Sequence, residues 1–171
     1  MKTLIFLLLL TPFISLSQKT DVYVKLTDAK GQQIKGDALV KGFERWIGAT
    51  TISSGGKNNT ELSFTMPVSG ASADLKRALA TGELLLNGQV SVLSPNQTTG
   101  SPVISYTIKM ENVAVTFCNE ELGCNNILST TVNLRASRIG WTYYQLDRTG
   151  AMSVSKKFGW DADKQSEWTT Y

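Results

Sequence analysis

The sequence predicts a mainly β domain, a two-sheet small barrel or sandwich of about seven or eight strands with one short flanking helix. Three observations lead there. Apolar and polar residues alternate with a period of two through most of the chain beyond residue 18. The period switches to that of a helix once, over residues 73–81. Short Gly-, Asn- and Pro-containing segments separate the alternating stretches, as turns separate strands. No internal repeat or linker divides the chain, and its 171 residues suit one compact domain.

Residues 1–17 stand apart from this pattern. Lys2 gives a basic start, residues 4–10 (LIFLLLL) form an unbroken apolar run, and Ser15 and Ser17 place small residues two apart before Gln18. This is the arrangement of a secretory signal peptide, with cleavage expected after Ser17. The apolar run falls short of the roughly 20 residues that span a bilayer as a helix. Residues 18–171 are then one secreted or periplasmic domain, with no membrane insertion of the mature chain.

The first strand is read from Val22, Val24 and Leu26, which alternate with Tyr23, Lys25 and Thr27. Asp28 and Gly31 bracket a turn. A second strand is expected over 38–47, followed by a polar loop of Ser53, Ser54, Gly55, Gly56, Lys57, Asn58 and Asn59. Leu62, Phe64 and Met66 mark a strand ended by Pro67. Ser72 is the expected N-cap of the helix, Leu75, Ala78 and Leu79 its apolar stripe, and Gly82 its C-terminal stop. Strands resume over 83–93, and 94–102 reads as a loop. Ile104, Tyr106, Ile108 and Met110 share one phase, whereas Val113, Val115 and Phe117 take the other, so a bulge is expected at Glu111 and Asn112. Leu128, Thr130, Val132 and Leu134 likewise give way to Ile139, Trp141 and Tyr143, which requires a bend near Ala136 and Ser137. Asp147 opens a turn that ends at Gly150; a final strand covers 152–158 and a polar tail 159–171.

Chemistry is sparse. Lys and Arg number 17 against 14 Asp and Glu, a net charge of +3 that is too mild and too scattered for a nucleic-acid surface. The chain has no His, which removes Ser-His and Cys-His nucleophile pairs, imidazole acid–base catalysis and the commonest zinc ligand. Ser54, Gly55, Gly56 and Lys57 resemble a phosphate loop only in part: the first Gly is missing, and Asn58 follows the Lys where Ser or Thr is needed. Asp161 and Asp163 lack the further ligands of a calcium loop and read as a solvated tail. Adjacent Glu120 and Glu121 do not converge on one atom. Trp141 and Tyr143 read as core; Trp160 and Trp168 fit either a core or an interface. No catalytic, cofactor-binding or metal site is expected. In an oxidising compartment Cys118 and Cys124 are expected to form a disulfide.

Three segments resemble the haemolysin-coregulated protein (Hcp) family, the tube subunits of type VI secretion systems. Residues 62–83 (LSFTMPVSGASADLKRALATGE) are similar to the family's strand, turn and helix; residues 105–115 (SYTIKMENVAV) to its long kinked strand; and residues 139–161, with Trp141, Thr142 and Tyr143 and the closing Phe158, Gly159, Trp160 and Asp161, to its last strands. The opening 21–31 fits its first strand and turn. The resemblance implies a β-barrel with one helix, self-assembly into homo-hexameric rings that can stack into a hollow tube, and a spike protein and lumenal effectors as partners. It implies no enzyme activity and no cofactor. It also implies that 45–60 is the loop used in ring stacking. Tube subunits load from the cytoplasm without a cleavable signal, so the leader here implies an exported relative. The alternative is a monomeric exported β-sandwich that binds a glycan or protein; a carboxylate hydrolase lacks two evident convergent acids.

Overall fold

The computed structural model describes residues 20–55, 60–96, 99–123, 126–147 and 151–171. The leader, the loop segment 56–59 (Gly56, Lys57, Asn58 and Asn59), Cys124 and the turn segment 148–150 lie outside the described residues. Among those described, nine strands and one helix follow in the order β1 (Asp21–Thr27), β2 (Ile47–Ala49), β3 (Thr51–Ser54), β4 (Glu61–Pro67), α1 (Gly70–Thr81), β5 (Leu84–Pro95), β6 (Pro102–Leu122), β7 (Leu128–Leu146), β8 (Met152–Asp161) and β9 (Ser166–Glu167).

The strands belong to one antiparallel sheet rather than the two expected. Its order is β2-β1-β5-β6-β7-β4-β3, with β8 on β7 and β9 on β8. β2 and β3 lie at opposite ends of this path, yet only Thr50 separates them in the chain. The sheet therefore curls until its edges meet through one residue. The Thr50 amide and hydroxyl both donate to the Thr65 carbonyl, at 2.8 and 3.1 Å. β7 serves two further partners in succession. Residues from Ser129 to Arg135 pair with β4, and those from Arg138 to Leu146 pair with β8.

Both expected phase changes exist, and they are one feature. Leu85, Val113 and Ala136 are buried on one side of the change, and Met110 and Ile139 on the other. Pairing stays in register across it, from Leu85↔Val113 to Asn87↔Glu111 and from Val113↔Ala136 to Glu111↔Arg138. So the slip at Asn112 is a bend shared by three strands at one level and adds no extra residue. Asn112 takes it with a left-handed φ of 51°, which Asn tolerates better than most residues. Register shifts fall elsewhere, at Val92/Leu93, Val115/Phe117 and Tyr143/Tyr144.

The core joins Val24 and Leu26 of β1, Phe64 and Met66 of β4, Ile108 and Met110 of β6, and Leu134 and Ile139 of β7, all nearly inaccessible. The helix closes it with Ala71, Leu75 and Ala78. It begins earlier than expected, because Ala71 is apolar enough to enter the core: Ser69 is the N-cap, its amide donates to Ser72 Oγ at 3.2 Å, and Ser72 lies in the first turn. Gly82 ends the helix in the left-handed conformation, as expected. Of the strand expected over 38–47, only Ile47 is strand, as the first residue of β2; residues 38–46 are turn and irregular backbone. Gly42 and Arg45 have φ of 87° and 60°, and Phe43 stacks on Tyr23 at 4.7 Å, folding the segment back over β1. Its tip carries Leu39, 93% exposed.

Candidate functional site

Ser53 and Ser54, expected to be loop, belong to β3 and face Ser63 and Leu62 of β4. The polar segment is thus the end of a β3–β4 hairpin, whose stem closes where the Gly55 amide donates to the Glu61 carbonyl at 3.0 Å. Local composition hides this, because Thr51 and Ile52 are strand-prone whereas the two serines take extended structure only through β4.

The stem is tied to the far side of the sheet. Trp141 Nε1 donates to Ser54 Oγ at 2.9 Å. Trp141 stacks on Phe158 with ring centroids 5.7 Å apart, and Tyr106 meets Tyr143 at 4.8 Å. These four rings continue the inner face of β6, β7 and β8 beyond the core, because Ile108 pairs with Trp141 and Tyr106 with Tyr143. Together with Ser54 and Gly55 they line a shallow groove of about 250 Å³. Trp141 is buried as expected; Tyr143 is not, being 49% exposed beside an equally open Phe158. Burial and the neighbouring Tyr143 raise the Tyr106 pKa well above the ordinary tyrosine value, so this hydroxyl is neutral throughout the physiological range. The result is a partly wet aromatic ledge beside the hairpin stem. Its polar tips and apolar rings suit a protein–protein contact. A second apolar group lies at the β6–β7 hairpin end, where Leu122 and Leu128 are paired and exposed near Ile127.

Asp161, Glu111 and Glu120 are each engaged by a basic side chain. Asp161 is not in a solvated tail: its side chain is 5% exposed and accepts from Arg138 Nε at 2.8 Å. Arg138 Nη1 reaches Glu111 at 3.0 Å. Asp161 Oδ1 also accepts from the amides of Asp163 and Lys164 at 3.1 and 3.0 Å. The Lys164 amide, and then the Arg138 guanidinium, hold the Asp161 carboxyl below its usual pKa. Glu120 pairs with Lys76 of the helix at 2.8 Å. Among the described residues, no three acidic or Cys side chains are grouped to hold a metal.

The tail is the part that composition misreads most. Trp168 is 8% exposed, and Tyr171 lies in a trough made by Gly140 and Gly159, donating its hydroxyl to the Trp141 carbonyl at 3.0 Å. Two glycines on adjacent strands were the available sign that something packs there. Cys118 is half-buried on β6 opposite Val132, and burial raises its thiol pKa. Its expected partner, Cys124, lies outside the described residues.

A family model described as type VI secretion system effector, Hcp, matches residues 23–143. No curated protein matches. Solved structures do. Hcp1 from Salmonella typhimurium is 17% identical, with a TM-score of 0.71 over 87% of this chain and 99% of that one. A mutant form of Hcp1 from E. coli EAEC 042 is 26% identical, with a TM-score of 0.62 over 79% and 97%. The secreted protein Hcp3 from Pseudomonas aeruginosa is 17% identical, with a TM-score of 0.65 over 81% and 98%.

Proposed function

The chain belongs to the Hcp family of type VI secretion, and from that premise we propose that it is an exported, non-enzymatic structural subunit that assembles into hexameric rings able to stack into a hollow tube. The observation that carries this reading is the family match over 23–143, which spans β2 to β6 and α1 whole and most of β1 and β7, leaving out β8 and β9. The aromatic ledge and the β3–β4 hairpin supply surfaces for it. Exposed rings beside a polar hairpin resemble an interface whose apolar centre is rimmed by hydrogen-bonding groups. A repeated head-to-tail contact with the right rotation closes a ring. In this reading Ser53, Ser54 and Gly55 hold the stem of the stacking loop, to which the sequence also assigns Gly56, Lys57, Asn58 and Asn59, outside the described residues. A spike protein and lumenal effectors are its proposed partners.

Export is part of the proposal. The leader is removed after Ser17, and Cys118 and Cys124 then meet an oxidising compartment. Cys118 sits four residues inside β6, roughly 13 Å back from Leu122 at about 3.3 Å per residue. A disulfide tolerates a Cα separation of at most about 7 Å. Cys124, the other half of the proposed bridge, lies outside the described residues.

Light scattering and negative-stain imaging of residues 18–171 test the assembly. Closed rings of six are expected. A monomer at all concentrations and salt levels overturns the tube function and favours the monomeric binding module. Intact mass of exported protein tests the leader: a chain beginning at Gln18 is expected, and retained residues 1–17 overturn export.

A further inference from the structure

The outer face of β1, β5 and β6 carries two cross-strand rows. Lys25, Gln89 and Lys109 stand opposite one another in the first, and Thr27, Asn87 and Glu111 in the second. Directly opposed residues of neighbouring strands project from the same face. Trp168 and Tyr171 of the returning tail form a wall beside these rows, enclosing a cleft of about 330 Å³. The cleft lies on the face of β6 opposite the aromatic ledge, because Lys109 and Ile108 are adjacent strand residues.

We propose that this cleft binds an acidic saccharide, a sugar ring bearing a carboxylate. Strands about 4.8 Å apart place the backbones of Lys25 and Lys109 roughly 10 Å from each other, with Gln89 between them. Both ammonium groups ride on long flexible stems; Lys25 Nζ lies 5.8 Å from the Trp46 ring centroid, and in the proposal it exchanges this weak contact for the carboxylate that Lys109 also meets. Glu111 does not oppose it, since Arg138 already engages that carboxylate at 3.0 Å. Asn87, Gln89 and Thr27 offer groups that donate and accept, as sugar hydroxyls do. Tyr171 supplies an apolar wall, held in place by Lys157, whose Nζ lies 4.5 Å from the ring centroid and 3.0 Å from the Tyr171 carbonyl.

Other anions fit less well. β5 and β6 are paired on both edges here, and the neighbouring Leu26 and Thr27 are engaged by Ile34 and Gln33. An acidic peptide therefore finds no open strand edge to extend. Inorganic phosphate can meet the two lysines, but it carries no ring to set against Tyr171 and no set of hydroxyls to match Asn87, Gln89 and Thr27 together.

The test uses residues 18–171 titrated with glucuronic acid, glucose, inorganic phosphate and a glutamate-rich peptide, followed by calorimetry and tryptophan fluorescence. Glucuronic acid is expected to bind saturably, and glucose at least about tenfold more weakly. Lys25→Gln combined with Lys109→Gln is expected to remove that difference while leaving the melting temperature unchanged. Absence of saturable glucuronic acid binding overturns the proposal. So does glucose binding equally well, tighter binding of phosphate or peptide, or a double variant that binds glucuronic acid like the parent. The oligomer measured by light scattering does not enter this readout, so the site and the tube function stand or fall separately.

Discussion

Gly159→Ala should unfasten the tail. A Cβ built on Gly159 collides with the Trp168 carbonyl and comes within 2.6 Å of Tyr171 Cε1. The first obstacle is backbone, so it cannot rotate away. The same Trp168 residue donates its amide to the Gly159 carbonyl at 2.9 Å, and that bond stretches as the tail retreats. Overpacking of this kind costs about 1–3 kcal/mol. For a domain of this size each kcal/mol lowers Tm by about 2–4 °C, so about 2 kcal/mol corresponds to roughly 4–8 °C. A Cβ on Gly140 has atoms of the Tyr171 ring as its nearest neighbours, from 2.5 Å, and Gly140→Ala should cost about 1–2 kcal/mol by expelling that ring. Gly48 has nothing within 4 Å of an added Cβ, and Gly48→Ala should stay within about 0.5 kcal/mol of the parent. Thermal melts followed by circular dichroism and tryptophan fluorescence read all three. The two positions should also be coupled: in a Tyr171→Ala background, Gly140→Ala should become nearly free. A Gly159→Ala protein that melts with the parent, or a Gly140→Ala cost that survives removal of Tyr171, would refute the account of the tail.

Further expectations follow from the ion pairs, the ledge and the thiols. Because the Asp161 pKa is depressed in the folded state, its contribution is present above the ordinary Asp range and is lost as pH falls through the folded value; Asp161→Asn should be less stable at neutral pH and show a flatter acid limb in melts from pH 7 to 2, and an unchanged limb would count against the clamp. Tyr106 has the opposite dependence: its raised pKa contributes stability below the ordinary tyrosine value of about 10 that declines above it, so Tyr106→Phe should lessen the alkaline loss in the same assay. Trp141→Phe removes the bond to Ser54 and should cost about 1 kcal/mol in denaturant melts while reducing ring stacking in negative-stain images by more than that loss accounts for; stacking that persists would separate the hairpin from assembly. Exported protein alkylated without reductant should label neither Cys118 nor Cys124 by mass spectrometry, and two labelled thiols would remove the proposed bridge.

The sequence by itself determined the local elements whose physics is local. Alternation in Val22, Val24 and Leu26 marks β1 because a strand with one buried face must repeat every second residue. Gly82 stops the helix because its backbone enters the left-handed region without steric cost. The phase changes near Asn112 and Ser137 were visible for the same reason. The tertiary structure alone decided what those changes mean, since a bulge and a three-strand bend leave the same trace in one strand and differ only in the register of its neighbours. It also decided that Ser53 and Ser54 are strand, that Ser69 caps the helix, and that residues around Phe43 fold over Tyr23. The polar composition of 159–171 could not reveal its burial, because Asp161 is satisfied by Arg138 and Tyr171 by a trough in β7 and β8, partners set by the path of the whole chain. Periodicity reports which face an element buries; which distant residues cover that face follows only once the sheet has curled.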